Sequence, residues 1–258
     1  MFIDTHAHLY ADAFAADRDE MILRAMEAGV GKMLLPNIDA GSVQGMLDLE
    51  KKYPGHCYPM MGLHPTSVKE DWKEQLAGMK KQLTAGSFIA IGEIGIDLYW
   101  DTQFQEQQTA AFIEQISWAK DMGLPIVIHA RNSFPEIFEV LDAHNDDRLK
   151  GIFHCFTGTF EDAQKIRSYG GFLFGIGGVL TFKKSGLDEV VKQLRPEELV
   201  LETDSPYLAP APHRGKRNES AYIPLIADKL SDIFEMPVSE IAAITTKNAE
   251  NMFNLYNH

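Results

Sequence analysis

Short apolar runs recur along this chain, and one after another ends in a polar residue able to bind a metal ion. Phe2-Ile3-Asp4-Thr5-His6-Ala7-His8 is the first, followed by Ile89-Ala90-Ile91-Gly92-Glu93, Pro125-Ile126-Val127-Ile128-His129, Gly151-Ile152-Phe153-His154 and Leu199-Val200-Leu201-Glu202-Thr203-Asp204. A strand projects residues i and i+2 to the same face, so His6 and His8 are expected to point together. Eight runs predict strands near residues 2–7, 32–37, 58–63, 88–93, 125–129, 151–155, 171–176 and 199–203. Several are continuously apolar, as parallel strands covered on both faces require.

Between the strands the apolar period changes to that of a helix. Met21, Ile22, Ala25 and Met26 mark a helix over 18–28, with Gly29 as its terminator. The longest helical pattern runs from Phe104 to Met122 and ends at Gly123 and Pro125. Shorter patterns cover 136–141, 160–169 and 185–194, and two more cover 221–234 and 239–255. Strand ends recur at roughly 23 to 36 residues, room for a helix and two loops. Alternation of this kind predicts a parallel sheet. An open doubly wound sheet binds its ligand at one switch point between two or three strand ends. Here at least five ends carry ligand-type residues, and their convergence needs a closed ring. The expectation is therefore an α/β fold, a single (β/α)8 TIM barrel spanning 1–258, without linker or internal repeat.

Composition narrows the setting. The chain has 258 residues, 45% of them apolar, which suits one barrel of about 250 residues. No run is long and apolar enough for a membrane-spanning helix, and the first residues lack a secretory pattern. Cys57 and Cys155 form no disulfide framework and read as ordinary core or strand residues, so a reducing cytoplasm is expected. A net charge of −13 argues against coating nucleic acid through a broad basic surface, though not against gripping one strand end locally.

A lone histidine is usually structural, but two on one strand face would cost desolvation unless they share an ion. His129 and His154 close apolar strands at the face where barrel enzymes place their sites. Glu93 lies in apolar surroundings, where a carboxylate needs a cation, and Asp204 closes the set. Four histidines and two carboxylates exceed the three protein ligands of a typical catalytic zinc and suit two divalent ions. Nitrogen and oxygen donors admit Mg, Mn or Zn. His64, on the same rim, is read as a substrate-contacting or supporting group, or as a structural one. Glu202 shares parity with Asp204 and either supports a ligand histidine or pairs with a cation. His56, His144 and His258 read as surface residues. Arg214, Lys216 and Arg217 form the dense basic cluster nearest the expected mouth, beside His213, and together with Arg131 would grip phosphate.

These blocks resemble the TatD family of metal-dependent deoxyribonucleases, within the amidohydrolase-type barrels. The resemblance is carried by Asp4-Thr5-His6-Ala7-His8-Leu9, Gly62-Leu63-His64-Pro65, Gly92-Glu93-Ile94-Gly95-Ile96-Asp97, Ile128-His129-Ala130-Arg131, His154-Cys155-Phe156-Thr157-Gly158, Glu202-Thr203-Asp204-Ser205-Pro206-Tyr207-Leu208 and Arg214-Gly215-Lys216-Arg217-Asn218, in family order over nearly the whole chain. It implies phosphodiester hydrolysis in DNA, as a 3′–5′ exonuclease acting on strand ends or single strands. It also implies two divalent metal ions held by His6, His8, Glu93, His129, His154 and Asp204. By that likeness Glu93 bridges the ions, with His6, His8 and Asp204 on one side and His129 and His154 on the other. Asp204 would activate the attacking water, with His64, Arg131, Arg214, Lys216 and Arg217 around the substrate. The rival readings are a hydrolase of the same fold acting on D-aminoacyl-tRNA or a carboxylic ester or amide, and a non-enzymatic metal-binding scaffold. No membrane association and no obligate protein partner are expected.

Overall fold

The computed structural model describes residues 1–257, and His258 lies outside them. Among these residues eight parallel strands alternate with helices. The strands are β1 (Phe2–Asp4), β2 (Val30–Leu35), β3 (Cys57–Pro59), β4 (Ile91–Asp97), β5 (Ile126–Arg131), β6 (Gly151–Phe153), β7 (Phe172–Ile176) and β8 (Leu199–Leu201). The helices are α1 (Arg18–Glu27), α2 (Val43–Lys52), α3 (Trp72–Ala85), α4 (Gln105–Met122), α5 (Phe134–His144), α6 (Phe160–Tyr169), α7 (Leu187–Val191), α8 (Ile223–Phe234) and α9 (Val238–Phe253).

Strands β1 to β3 pair in order, as do β4 to β8. Two seams join these groups into a ring. At one, Thr5 N and Thr5 Oγ1 both donate to Leu201 O at 3.0 Å, and Ala7 bridges Ser205 in parallel register. At the other, Met61 N donates to Ala90 O at 3.1 Å and Gly92 N to Met61 O at 3.0 Å. The result is the TIM barrel expected from the alternation. No helix among the described residues is long and apolar enough to cross a membrane.

The core has two parts. Ile3, Leu34, Tyr58, Val127, Ile152 and Val200 come from six different strands and pack with Met252 and Phe253 of α9. A cluster fed by so many strands, separate from their helix-facing side chains, fills the ring itself, with α9 against one end. The larger part, including Phe112, Ile137 and Phe174, packs strands against the helical layer.

Two local differences from the sequence reading follow from glycine. The fourth strand was expected over 88–93 with Glu93 at its end. It starts instead at Ile91 and continues to Asp97, its register against β5 shifting between Ile91 and Ile94. Gly95 permits the continuation: its φ is +138°, and a Cβ there would lie 2.1 Å from His129 O. The helix expected over 185–194 shortens to Leu187–Val191, because Gly186 at φ +68° turns the chain just before it.

Phe253, 2% exposed where α9 meets the barrel interior, tests the packing of that interior. Phe253→Ala should lower unfolding stability by about 3–5 kcal/mol in urea titration. A loss below about 1 kcal/mol would mean that α9 does not close the core.

Candidate metal centre

His6, His8, His64, His154, Glu202 and Asp204 follow the C-terminal ends of their strands, Glu93 and His129 lie within β4 and β5, and these side chains meet at one mouth of the barrel. Beyond Asp4 the first strand stops, yet the isolated Ala7–Ser205 bridge keeps the chain extended. His6 Nε2 and His8 Nε2 consequently lie 3.3 Å apart. The buried Asp4 carboxylate ties this segment to the end of β8. Its Oδ1 accepts from the Thr203 amide at 2.9 Å and the His6 amide at 3.3 Å, and its Oδ2 from the Thr203 hydroxyl at 2.6 Å. Burial pushes the Asp4 carboxyl up to about 6 against these bonds.

Glu93 is the hub. It is 2% exposed, and its two oxygens face different histidines. Oε2 lies 3.0 Å from His6 Nε2 and 3.5 Å from His8 Nε2. Oε1 lies 2.7 Å from His129 Nδ1, 3.2 Å from His64 Nε2 and 3.7 Å from His154 Nε2. Asp204 Oδ1 approaches His8, His6 and His154 at 3.6, 3.8 and 3.8 Å. The structure therefore gathers all six expected ligand residues in one place and adds His64 to them.

Carboxylates behind the histidines set their orientation. Asp97 Oδ2 lies 2.8 Å from His129 Nε2, leaving Nδ1 for Glu93. Glu202 Oε1 lies 2.9 Å from His154 Nδ1 and accepts from the Cys155 amide at 2.5 Å. Glu202 fits only because residue 175 is glycine, since a Cβ there would stand 2.2 Å from Glu202 Oε2. The phenol of Tyr10 lies 2.9 Å from His8 Nδ1. Asp97 was legible as a supporting residue, because it shares strand parity with Glu93. Tyr10 follows the irregular chain after Ala7 and carried no such signal.

Crowding sets the electrostatics. Burial works to lower the His129 imidazole, but hydrogen bonds to Asp97 and Glu93 outweigh it and raise the group to about 9. His154 follows the same logic: burial lowers it, and the charges of Glu202, Glu93 and Asp204 carry it up to about 10. His6 and His64 are lowered, burial being the largest cause in each. Glu93 is held well below the usual carboxylate range: its burial would raise it, and the surrounding histidines more than offset that. Asn132, Cys155 and Asp204, just past β5, β6 and β8, adopt φ of 53°, 45° and 57°. Such conformations are uncommon outside glycine and gather where a site over-determines its backbone.

Four groupings among the described residues bring donor atoms within 4.8 Å of one another: His6, His8 and Glu93; His64, Glu93 and His129; His154, Cys155 and Asp204; and His6, His154 and Glu202. Imidazole nitrogens and carboxylate oxygens in these sets fit a divalent cation. Cys155, read from sequence as an ordinary residue, lies among these donors. The groups border a cavity of about 670 Å³ that is also lined by Arg131, Trp100 and Tyr207.

The basic segment after β8 does not reach this cavity. Arg217 donates to Asp17 Oδ1 and Oδ2 at 2.7 Å each and to Ala13 O at 2.8 Å. Arg214 stacks on Phe182, its guanidinium 4.2 Å from the ring, and Lys216 is exposed outside the cavity lining. Asn218 is buried and donates to Thr203 O and Tyr207 O at 2.8 and 2.7 Å. Arg217, expected to grip phosphate, is thus engaged with Asp17, and Arg214 and Lys216, expected beside it, do not line the cavity. The segment instead pins the loop that carries Asp204, and Arg131 remains at the cavity wall. His213 stacks on Tyr222 with ring centroids 4.2 Å apart. His56 Nδ1 lies 2.8 Å from Gly31 O, away from the site.

Residues 3–254 match the family described as TatD related DNase. The chain is 36% identical over 256 residues to YabD of Bacillus subtilis (strain 168), an uncharacterized metal-dependent hydrolase, covering 99% of this chain and 100% of that protein. It is 32% identical over 258 residues to the 3′-5′ ssDNA/RNA exonuclease TatD of Erwinia tasmaniensis, covering 98% and 99% of the two chains. The crystal structure of YjjV, a TatD homolog from Escherichia coli K12, superposes with a TM-score of 0.92 at 30% identity and 98% coverage of both chains. With the match running almost from end to end, this chain belongs to the TatD related DNase family and is a metal-dependent hydrolase.

Proposed function

We propose that the protein hydrolyses phosphodiester bonds at the ends of DNA strands, as a 3′–5′ exonuclease that works as one catalytic unit with two divalent cations. The observation that carries the two-ion reading is the division of labour at Glu93, whose Oε2 faces His6 and His8 while Oε1 faces His129, His64 and His154. Charge supports the same count. Glu93, Asp97, Glu202 and Asp204 bring four formal negative charges into a largely buried region. Ligand histidines bind metal as neutral imidazoles, so two divalent ions balance those carboxylates.

His6, His8 and Asp204 would hold one ion, His129 and His154 the other, and Glu93 would serve both. Bound there, divalent cations lower the pKa of an attacking water and neutralise charge on the phosphate. The protein supplies the rest. Asp204, the most exposed of the four carboxylates at 15%, lines the cavity, where its oxygen would orient that water and take its proton. Asp97 and Glu202 fix the rings of His129 and His154, so that Nδ1 of His129 and Nε2 of His154 face the centre. Arg131 and His64, which both line the cavity, would hold non-bridging phosphate oxygens.

Chelation with EDTA should abolish hydrolysis of single-stranded DNA, and adding back Mg²⁺, Mn²⁺ or Zn²⁺ should restore it with a preference that identifies the working metal. A panel of single-stranded DNA, duplex DNA, RNA, D-aminoacyl-tRNA and p-nitrophenyl esters tests the substrate class. Ester turnover without cleavage of any nucleic acid would overturn the nuclease reading. Asp204→Asn should lower kcat by at least about 100-fold, the usual scale for loss of a general base. Near-normal turnover in that variant would remove Asp204 from the proton-accepting role. Glu202→Gln should weaken metal binding by about 10- to 100-fold, read by competition with a chromophoric chelator. Unchanged affinity would make Glu202 a purely structural partner.

A further inference from the structure

Half of the large hydrophobic residues exposed among the described residues stand at one place. Tyr99, Trp100, Tyr207 and Leu208 are 52%, 71%, 55% and 41% exposed, and all four follow the C-terminal ends of β4 or β8. Trp100 lines the same cavity as Glu93 and Asp204. Exposed aromatic surface gathered at the mouth of a site is an unusual use of apolar area and marks a binding face.

The loop after β4 is anchored to the centre. Tyr99 N donates to Asp97 Oδ1 at 3.0 Å, on the carboxylate that holds His129, and Leu98 N donates to Arg131 O at 3.0 Å. The rings of Tyr99 and Trp100 meet edge to face at 4.8 Å. The Arg131 guanidinium lies 3.8 Å from the Tyr99 ring centre and 5.3 Å from that of Trp100. This packing holds the cation beside the aromatic pair.

Electrostatics indicates what the shelf receives. The chain carries a net charge of −13, and Arg131 is the one Lys or Arg residue among those lining the cavity. Lys and Arg contacts to the phosphates of a polyanionic strand are therefore few at this cavity. The remaining contribution open to this surface is stacking, which every nucleobase offers through its π-face. We propose that Trp100, backed by Tyr99 and Arg131, is a stacking shelf for the unpaired base beside the phosphodiester to be cut. Selection of single-stranded ends then comes from base stacking more than from phosphate contacts. This inference rests on the phosphodiesterase reading, because it places the base by reference to that bond.

Two oligonucleotides of equal length test it, one with bases and one with abasic residues at its 3′ end. Binding is measured by fluorescence anisotropy with EDTA-treated enzyme, and cleavage with metal restored. The wild type should bind the base-bearing strand about tenfold more tightly, the Trp100→Ala variant should bring that ratio close to one, and Trp100→Phe should recover part of it. Equal binding of both strands by the wild type, or a Trp100→Ala variant that keeps the preference, overturns the shelf even if DNA is cleaved. A preference abolished by Trp100→Ala without cleavage under any metal upholds the shelf as a base-binding surface and overturns the nuclease reading alone.

Discussion

A carboxylate buried inside a β-strand has to be met by positive charge or by good donors, and Glu93 is met by five histidines. Those histidines come from the ends of β1, β3, β5 and β6, so the pairing is possible only while the ring is closed. The requirement runs in both directions. The barrel brings the imidazoles together, and their contacts with Glu93 and Asp204 hold the strand ends in place. Asp4 strengthens the seam between β1 and β8, because its carboxylate links the His6 amide to Thr203.

The site is arranged in layers. Glu93 and the histidines form the inner layer, Asp97 and Glu202 hold two of the rings from behind, and glycines at 95 and 175 provide the room that these close approaches need. A single methyl group at either glycine would meet His129 O or Glu202 Oε2 at little more than 2 Å. The chemistry thus depends on positions that carry no chemistry of their own. The wall above the site is different in character, with exposed aromatic rings and one arginine in place of a basic rim.

Much of this was legible along the chain. Alternating apolar runs and helical periods predicted a barrel, and six ligand-type residues at strand ends predicted one shared site. Both readings rest on local rules, since period and chain direction follow from backbone geometry within a few residues. Even the short first strand did no harm, because His6 and His8 stay on one side while the chain remains extended. Asp97 could also have been read, from its parity with Glu93. The helices α2 and α3 could have been placed in the same way, from Val43, Met46 and Leu49 and from Leu76, Met79 and Leu83.

The basic cluster near residue 214 marks where that kind of reading ends. Proximity along the chain suggested that Arg214, Lys216 and Arg217 would face the mouth, yet Arg217 turns to Asp17, some two hundred residues away in sequence. A guanidinium goes to the best carboxylate within reach, and which carboxylate is within reach depends on how distant segments pack. The same holds for the two faces of Glu93 and for the role of His64, which depend on side chains from strands that meet only when the ring closes. Types and order of the reactive groups are therefore written in the chain, while their partners follow from its three-dimensional packing.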